Sequence, residues 1–347
     1  MKKYILGLDT SCYTTSMALV DMNGNTVLNR QIPLDVEAGE RGLQQSKALF
    51  QHLHRLPAIT EELGKAIDPK NDLAAVCATS RPRPVADSYM PVFMVSHMAG
   101  QAFANLLGVP YYEVSHQESH IQAGVASAGG PQDSKFMVVH ISGGTTEMLK
   151  VVDFGPSYGV RILGSTLDIH AGQFVDRVGV AMGLSFPAGS QLEELARKGI
   201  EKEVSIPSSV RGFSVSFSGA ETCAHRLLKQ GTRKEDVALA VYNNLNKTLT
   251  RWMVKGVRTY LLRNILIVGG VASSKLLREK LTETMKKRSN VVRLFFADPL
   301  LSKDNAVGTA LLGLKLYRHH TGAGNKIQTD TGSQKEQQKG GAKWKQK

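Results

Sequence analysis

The chain has 347 residues, of which 42% are hydrophobic, and a formal net charge of +13 at pH 7. This length exceeds what one hydrophobic core usually holds, so we expect two lobes, and the positive charge favours acidic partners such as nucleic acid. The three cysteines lack C-x-x-C spacing, which argues against a disulfide framework and a cysteine-rich zinc site. No stretch is apolar for long enough to span a bilayer. We therefore expect a cytoplasmic protein that does not enter a membrane.

The first third of the chain is predicted to form three strands followed by a helix, a strand, a helix and a strand. The turn Asn23-Gly24 between the second and third strands is typical of a β-hairpin. Pro57 predicts a break or kink in the long first helix. The predicted bounds, in chain order, are 5–10, 16–21, 26–33, 43–66, 73–78, 95–107 and 109–114.

The strand pattern recurs about 130 residues later in the sequence, with strands on both sides of a Ser-Gly-Gly-Thr turn. This recurrence predicts a duplicated α/β fold with one strand meander in each lobe. We predict an N-terminal lobe of residues 1–115, a C-terminal lobe of 116–317 with a helical insertion at about 171–262, and a disordered basic tail of 318–347. The predicted elements are 136–141, 148–152, 160–163, 265–268, a basic helix over 275–288, 291–296 and a closing helix from Asn305.

The strongest local motif is the segment 115–120, Ser-His-Gln-Glu-Ser-His. Ser115 follows a predicted strand and stands three residues before Glu118, which is the spacing of a capping box at a helix start. A helix beginning there puts His116 and His120 one turn apart on the same face, where two imidazoles can chelate a divalent metal. At roughly 100° per residue, Glu118 points almost opposite that face, so the motif does not fit a zinc protease. The alternative is two surface histidines on the first turn of an ordinary helix.

Three turn segments are candidate ligand-binding sites. In Ser142-Gly143-Gly144, consecutive glycines let backbone N–H groups approach an anion closely, although a plain hairpin turn would have the same sequence. The polar segment 9–15 occupies the same position in the first meander, and two such turns facing each other would hold a phosphate from both sides. Gly269-Gly270 joins a buried strand to a helix, a junction typical of nucleoside binding. Asp304 opens the closing helix, where aspartate is a routine N-cap but is also an oxygen ligand that a two-histidine site lacks.

Together these features resemble the actin/hexokinase/heat-shock-chaperone ATPase superfamily. Within it, the chain is similar to the tRNA N6-adenosine threonylcarbamoyltransferases, a glycoprotease-like family. The resemblance covers nearly the whole chain, from Leu6 to about Tyr317. It implies an α/β, two-lobed actin-like ATPase fold, which is a duplicated ribonuclease-H-like fold with a cleft between the lobes. The segments that carry it are 9–12, 116–120, 141–146, 171–183, 213–219, 269–271 and 304–305.

The resemblance implies a transferase that moves a threonylcarbamoyl group from its adenylate to an adenosine of tRNA. In the family, two histidines and an aspartate hold one divalent metal ion, iron or zinc, and these match His116, His120 and Asp304. Two protein partners are also implied, an adenylate-forming synthase and a shorter paralogue of the same fold. No residue is assigned as the catalytic group. The positions expected to bind the adenine nucleotide or acyl-adenylate are Ser142, Gly143, Gly144, Asp176, Gly189, Glu193, Gly269, Gly270 and Ser274.

The chain departs from the family pattern at several positions. Tyr13-Thr14 stand where the family carries an acidic Asp-Glu pair, and Arg81-Pro82-Arg83-Pro84 replace a Gly-Pro-Gly loop. Two hypotheses therefore stay open: transfer to tRNA adenosine, and a catalytically altered paralogue that serves as a nucleotide- and metal-binding partner protein. A small-molecule kinase of the same fold is a third, although such kinases do not need the two-histidine helix. Further departures are Thr145-Thr146, Asp168-Ile169, Gly172-Gln173, Ala188-Gly189-Ser190 and Ser274.

Overall fold

The computed structural model describes residues 2–11, 13–35, 43–85, 87–201, 204–301 and 305–322. Within these ranges, the first of two five-stranded sheets contains β1 (Tyr4–Asp9), β2 (Thr14–Asp21), β3 (Thr26–Pro33), β4 (Leu73–Arg81) and β5 (Tyr111–Ser115). Its strand order is β3-β2-β1-β4-β5. The three chain-adjacent strands pair antiparallel, and β4 and β5 add in parallel beside β1.

The second sheet repeats this arrangement. Its strands are β6 (Lys135–Ile141), β7 (Thr146–Asp153), β8 (Tyr158–Ser165), β11 (Asn264–Val268) and β12 (Arg293–Phe296). The order β12-β11-β6-β7-β8 again combines an antiparallel meander with two parallel strands beside its first strand. The predicted duplication of one meander per lobe is therefore confirmed.

The helices pack on the faces of these sheets. They are α1 (Gln45–Ala66), α2 (Pro69–Asp72), α3 (Phe93–Leu107), α4 (His116–Ala128), α5 (Ala171–Ala181), α6 (Gly189–Ala196), α7 (Ser218–Lys229), α8 (Lys234–Tyr260), α9 (Lys275–Arg288) and α10 (Val307–Thr321). In the described part of the chain, none of them is both long and apolar enough to cross a membrane.

Helices α4 and α10 lie between the two sheets and join them. One buried cluster contains Ile5 and Ala18 of the first sheet together with Val138 and Leu149 of the second. The two helices approach closely, because a Cβ added at Gly308 of α10 would lie 1.9 Å from the carbonyl oxygen of Ser119 in α4. Burial of apolar surface from both sheets against one helix pair fixes the first turn of α4 at the junction of the lobes.

Three predicted features differ from the structure. Helix α1 continues through Pro57 without a break, because one missing hydrogen bond is tolerated where a helix buries Ile59 and Leu63. The region predicted as helical also holds two short paired strands, β9 (Ser209–Arg211) and β10 (Ser214–Ser216). Helix α10 ends at Thr321, inside the predicted tail, and residues 323–347 lie outside the described ranges.

Candidate functional site

The first turn of α4 carries the two histidines. The Ser115 hydroxyl accepts the backbone N–H of Glu118, and the Glu118 carboxylate accepts the Ser115 backbone N–H at 2.9 Å, so the predicted capping box is present. This cap satisfies N–H groups at the helix start and fixes the direction of the first turn. The rings of His116 and His120 stack edge to face with their centroids 4.4 Å apart. Their neighbouring positions on one helix face are thus as predicted.

Asp9, at the end of β1, contacts the first histidine of this pair. Its carboxylate is fully buried, and its Oδ2 lies 3.1 Å from Nδ1 of His116. The hydroxyls of Ser11 and Thr79 donate to the same carboxylate at 2.9 and 2.6 Å. Thr10, between Asp9 and Ser11 in the sequence, donates its hydroxyl to the backbone oxygen of Val92. The hydroxyls of Thr10 and Ser11, two of those predicted to face a phosphate, thus bond to buried protein groups.

A third histidine, on the second sheet, completes a cluster that the sequence reasoning missed. His140, near the end of β6, has its ring centroid 5.3 Å from that of His120. We call His116, His120 and His140 the histidine cluster. The available signal was the position of His140 two residues before the Ser-Gly-Gly turn on a buried strand.

Asp304, predicted as the third metal ligand, lies outside the described residues. The residues that follow it are close to α4: Ser119 and Thr309 share a hydroxyl–hydroxyl hydrogen bond of 2.9 Å. Asn305 accepts, with its side-chain oxygen, the backbone N–H of Val307, the first residue of α10, at 3.0 Å. Over the described ranges, no group of three histidine, cysteine, aspartate or glutamate side chains has metal-binding geometry. The predicted ligand set is therefore neither confirmed nor contradicted.

The turn Ser142-Gly143-Gly144-Thr145, called here the glycine turn, connects β6 to β7. The Ser142 hydroxyl accepts the backbone N–H groups of Gly144 and Thr145, at 3.3 and 3.0 Å, and so holds the turn closed. A Cβ added at either glycine would meet nothing within 4 Å, so the turn faces open space. The start of α5 packs behind it, where Gly172 donates its N–H to the Ser142 carbonyl at 3.0 Å. This geometry leaves the glycine backbone accessible to a ligand beside a helix N-terminus.

The predicted nucleoside junction lies next to this turn. Gly269 directly follows β11 and has a φ of 99°. A Cβ there would lie 2.4 Å from the carbonyl oxygen of Ile141. Only glycine allows so close an approach of the two strand ends at this backbone conformation. Gly270 follows with open space around its Cβ position, and Ser274 caps α9 by accepting the N–H of Leu277 at 3.1 Å. The junction therefore brings Gly269 against the strand that leads into the glycine turn.

The remaining predicted nucleotide-binding residues gather around Tyr242 of α8, which the sequence reasoning also missed. Its hydroxyl donates to the backbone oxygen of Gly189 at 3.0 Å. Burial and the nearby charge of Glu193 hold the pKa of Tyr242 well above its ordinary value. Burial raises the pKa of Asp176, although the Ala188 N–H that its carboxylate accepts opposes this shift.

Glu193 has a structural contact besides its predicted ligand role. Its Oε1 accepts the backbone N–H of Leu276 at 2.7 Å, at the start of α9, and pairs with Arg197 at 3.2 Å. One carboxylate oxygen thus fixes the helix that follows the nucleoside junction.

An ion pair links the two lobes beside the histidine cluster. Arg83, in the loop that replaces the family's Gly-Pro-Gly, donates to Glu147 of β7, which also accepts from the Gln117 amide at 3.2 Å. Burial raises the pKa of Glu147, while the charge of Arg83 and the bond from Gln117 oppose that shift. Glu147 pairs with His140 in the sheet register. The arginine therefore puts a positive charge at the lobe junction.

Two other segments that depart from the family pattern, 168–169 and 13–14, have described contacts. Asp168 joins the β8–α5 loop to the start of α7. Burial alone would raise its pKa, but hydroxyl groups of Ser216 and Ser218 and two backbone N–H groups donate to it and lower the pKa to about 2. Tyr13 is 45% exposed, and its backbone oxygen accepts the N–H of Leu34.

Comparisons with known proteins agree with this architecture. The family model for tRNA N6-adenosine threonylcarbamoyltransferase matches residues 28–311. The protein of that name from Thermotoga neapolitana is 32% identical over 315 residues, which are 89% of this chain and 93% of the relative.

Among solved structures, the match to component A of (R)-2-hydroxyglutaryl-CoA dehydratase from Acidaminococcus fermentans has a TM-score of 0.56 at 19% identity and covers 91% of this chain and 99% of that one. HypF from T. kodakarensis matches with a TM-score of 0.61 at 15% identity, over 92% of this chain and 48% of HypF. These structures have the actin-like ATPase fold, which confirms the predicted fold class. From its match over most of its length, the chain belongs to the tRNA N6-adenosine threonylcarbamoyltransferase family.

Proposed function

We propose that this chain transfers the threonylcarbamoyl group of a threonylcarbamoyl-adenylate to an adenosine of tRNA. The observation that carries the proposal is that the histidine cluster contacts both sheets, since His116 meets Asp9 of β1 and His120 meets His140 of β6. His140 lies two residues from Ser142 of the glycine turn. Acyl transfer needs a donor that is held at its phosphate and polarised at its carbonyl. The glycine turn and the histidine cluster, which would do this, are adjacent.

Two histidines of the cluster, His116 and His120, have the side-chain chemistry to bind a divalent metal such as iron or zinc. His116 and His120 are on one helix face, and the carboxylate of Asp9 lies at Nδ1 of His116, so Nε2 is the ring nitrogen that would bind a metal. Asp304 would supply the third ligand, an oxygen of the kind found beside two histidines in catalytic sites. When bound there, the metal would act as a Lewis acid toward the mixed-anhydride carbonyl.

The adenylate would lie along the glycine turn and the nucleoside junction. The exposed backbone of the glycine turn, with the N–H of Gly143 and the N-terminus of α5 behind it, is suited to the phosphate. Asp176 and the second oxygen of Glu193 can accept ribose hydroxyl groups, and Tyr242 keeps Gly189 in position by its hydrogen bond. Gly269, Gly270 and Ser274 would line the side of the nucleoside.

The positive net charge of +13 suits tRNA as the acceptor. The end of α9, with Lys286, Lys287 and Arg288, is one basic segment available for phosphate contacts. An adenylate-forming synthase would supply the donor, and a shorter paralogue of the same fold would act as a further protein partner in the cytoplasm.

The test is transfer of labelled threonylcarbamoyl from purified threonylcarbamoyl-adenylate to tRNA, with the two partner proteins added or omitted. We expect label in adenosine after digestion of the tRNA, and we expect the double variant H116A/H120A to lose both transfer and a stoichiometric divalent ion. The matched control is H319A/H320A, which removes two exposed imidazoles near the end of α10. Nucleotide binding without transfer under every condition would contradict the proposal and favour a partner protein.

A further inference from the structure

We propose that Asp9 is a positioning residue that fixes the ring orientation and tautomer of His116, so that Nε2 is presented to the metal. This inference rests on the proposed metal site. It concerns a carboxylate that does not itself face the ligand space, because its side chain is fully buried. Its role would therefore be exerted through His116.

The contacts of Asp9 hold its carboxylate from three directions. Oδ2 accepts from the Ser11 hydroxyl at 2.9 Å and lies 3.1 Å from Nδ1 of His116, while Oδ1 accepts from the Thr79 hydroxyl at 2.6 Å. Ser11 follows β1, Thr79 is on β4, and His116 begins α4. Contacts from the segment after β1, from β4 and from α4 thus fix both oxygens. The carboxylate therefore has little freedom to turn away from the imidazole.

The ring of His116 is held on its other sides as well. The ring of Phe93 lies beside it at a centroid distance of 5.7 Å, and the ring of His120 packs against it at 4.4 Å. A side chain between two rings and a fixed carboxylate keeps one rotamer.

The chemistry follows from this geometry. A carboxylate can only accept a hydrogen bond at neutral pH, so Asp9 favours the tautomer of His116 that has its proton on Nδ1. The lone pair is then on Nε2, the nitrogen away from Asp9. Carboxylates in this relation to a ligating histidine also raise the basicity of the ring, and their loss typically weakens metal binding by about 10–100-fold.

The experiment uses Zn²⁺ alone as the probe and the full chain as the protein. The dissociation constant is measured by competition with a chromophoric chelator for wild type, Asp9→Asn and Asp9→Glu. We expect Asp9→Asn to bind Zn²⁺ about 10–100-fold more weakly, with partial recovery in Asp9→Glu. In metal-free protein labelled with ¹⁵N-histidine, we expect His116 of wild type to carry its proton on Nδ1, and Asp9→Asn to show a mixture of tautomers.

Two further variants separate the possible failures. Thr79→Val keeps the carboxylate and removes one hydroxyl that orients it, so a smaller loss of Zn²⁺ affinity is expected even if Asp9→Asn does not fold. If H116A/H120A retains full Zn²⁺ binding, the metal site of the proposed function is wrong. If that double variant loses Zn²⁺ while folded Asp9→Asn and Thr79→Val bind it within twofold of wild type and His116 keeps one tautomer, only the role of Asp9 is overturned.

Discussion

Replacing Gly172 by alanine should separate the glycine turn from the helix behind it. Gly172 is the second residue of α5, and a Cβ added there would lie 2.6 Å from the backbone N and 2.7 Å from the Cα of Gly143. Non-bonded atoms pack best at about 3.5–4.0 Å, so α5 and the turn would have to part by nearly an ångström. Backbone atoms cannot rotate away as a flexible side chain can. The hydrogen bond from Gly172 to the Ser142 carbonyl would lengthen with this movement.

Forcing an extra carbon into such a contact costs about 1–3 kcal/mol. The entropy of unfolding is about 2.1 cal/mol/K per residue, so for 347 residues each kcal/mol lowers the melting temperature by about 1.4 °C. We therefore expect Gly172→Ala to melt about 1–4 °C below wild type. The displaced turn should also bind an adenine nucleotide such as AMP more weakly, by about tenfold for each 1.4 kcal/mol of lost binding free energy.

The assays are thermal denaturation and calorimetric titration with AMP. Gly219→Ala is the matched control, because Gly219 is likewise the second residue of a helix, α7, but has nothing within 4 Å of its Cβ position. Alanine there should be neutral or slightly stabilising, since it favours helix by up to about 1 kcal/mol over glycine. Equal melting temperatures and equal AMP affinities for the two variants would refute the argument that α5 supports the turn.

Two further predictions concern charges at loop contacts. Arg83→Ala should destabilise the fold by about 1–3 kcal/mol at pH 7, because Glu147 then keeps a buried charge without its partner. Since burial raises the pKa of Glu147, the loss should shrink as the pH falls and the carboxyl takes up a proton, and Glu147→Gln in the same chain should restore stability. A pH-independent loss in urea unfolding would contradict this. Asp168→Asn tests a carboxylate whose pKa is lowered instead of raised. Because the pKa of Asp168 falls from 3.8 to about 2 on folding, its charged form stabilises the fold above pH 4, and this contribution is lost as the pH falls toward 2. Wild type should therefore lose melting temperature more steeply than the variant over this range, and parallel acid profiles would show that Asp168 does not stabilise the fold.

The local parts of the site were predictable from the sequence. The histidine pair depends on a capping box within six consecutive residues, and the glycine turn depends on four, so short-range rules were sufficient. The duplicated meander was predictable because the first two strands of each meander are largely buried and rich in apolar residues. These features need no knowledge of distant contacts.

The contacts that the sequence did not predict join residues far apart in the chain. Asp9 meets His116 across 107 positions, and Arg83 meets Glu147 across 64. Tyr242 reads as an ordinary core residue of α8 until Gly189 and Glu193 lie beside it. The two short strands, β9 and β10, have three residues each, too few for any periodicity to appear. In each case, tertiary contact rather than local pattern decides the role.

The central claim is that His116, His120 and Asp304 converge with the glycine turn on one ligand. The most direct test is anomalous diffraction at the metal absorption edge from crystals of the metal-loaded protein with AMP. The account predicts one peak about 2.0–2.2 Å from a nitrogen of each histidine and from an Asp304 oxygen, with AMP phosphate density against Gly143 and Gly144. A metal peak away from these side chains, or AMP bound elsewhere, would contradict it.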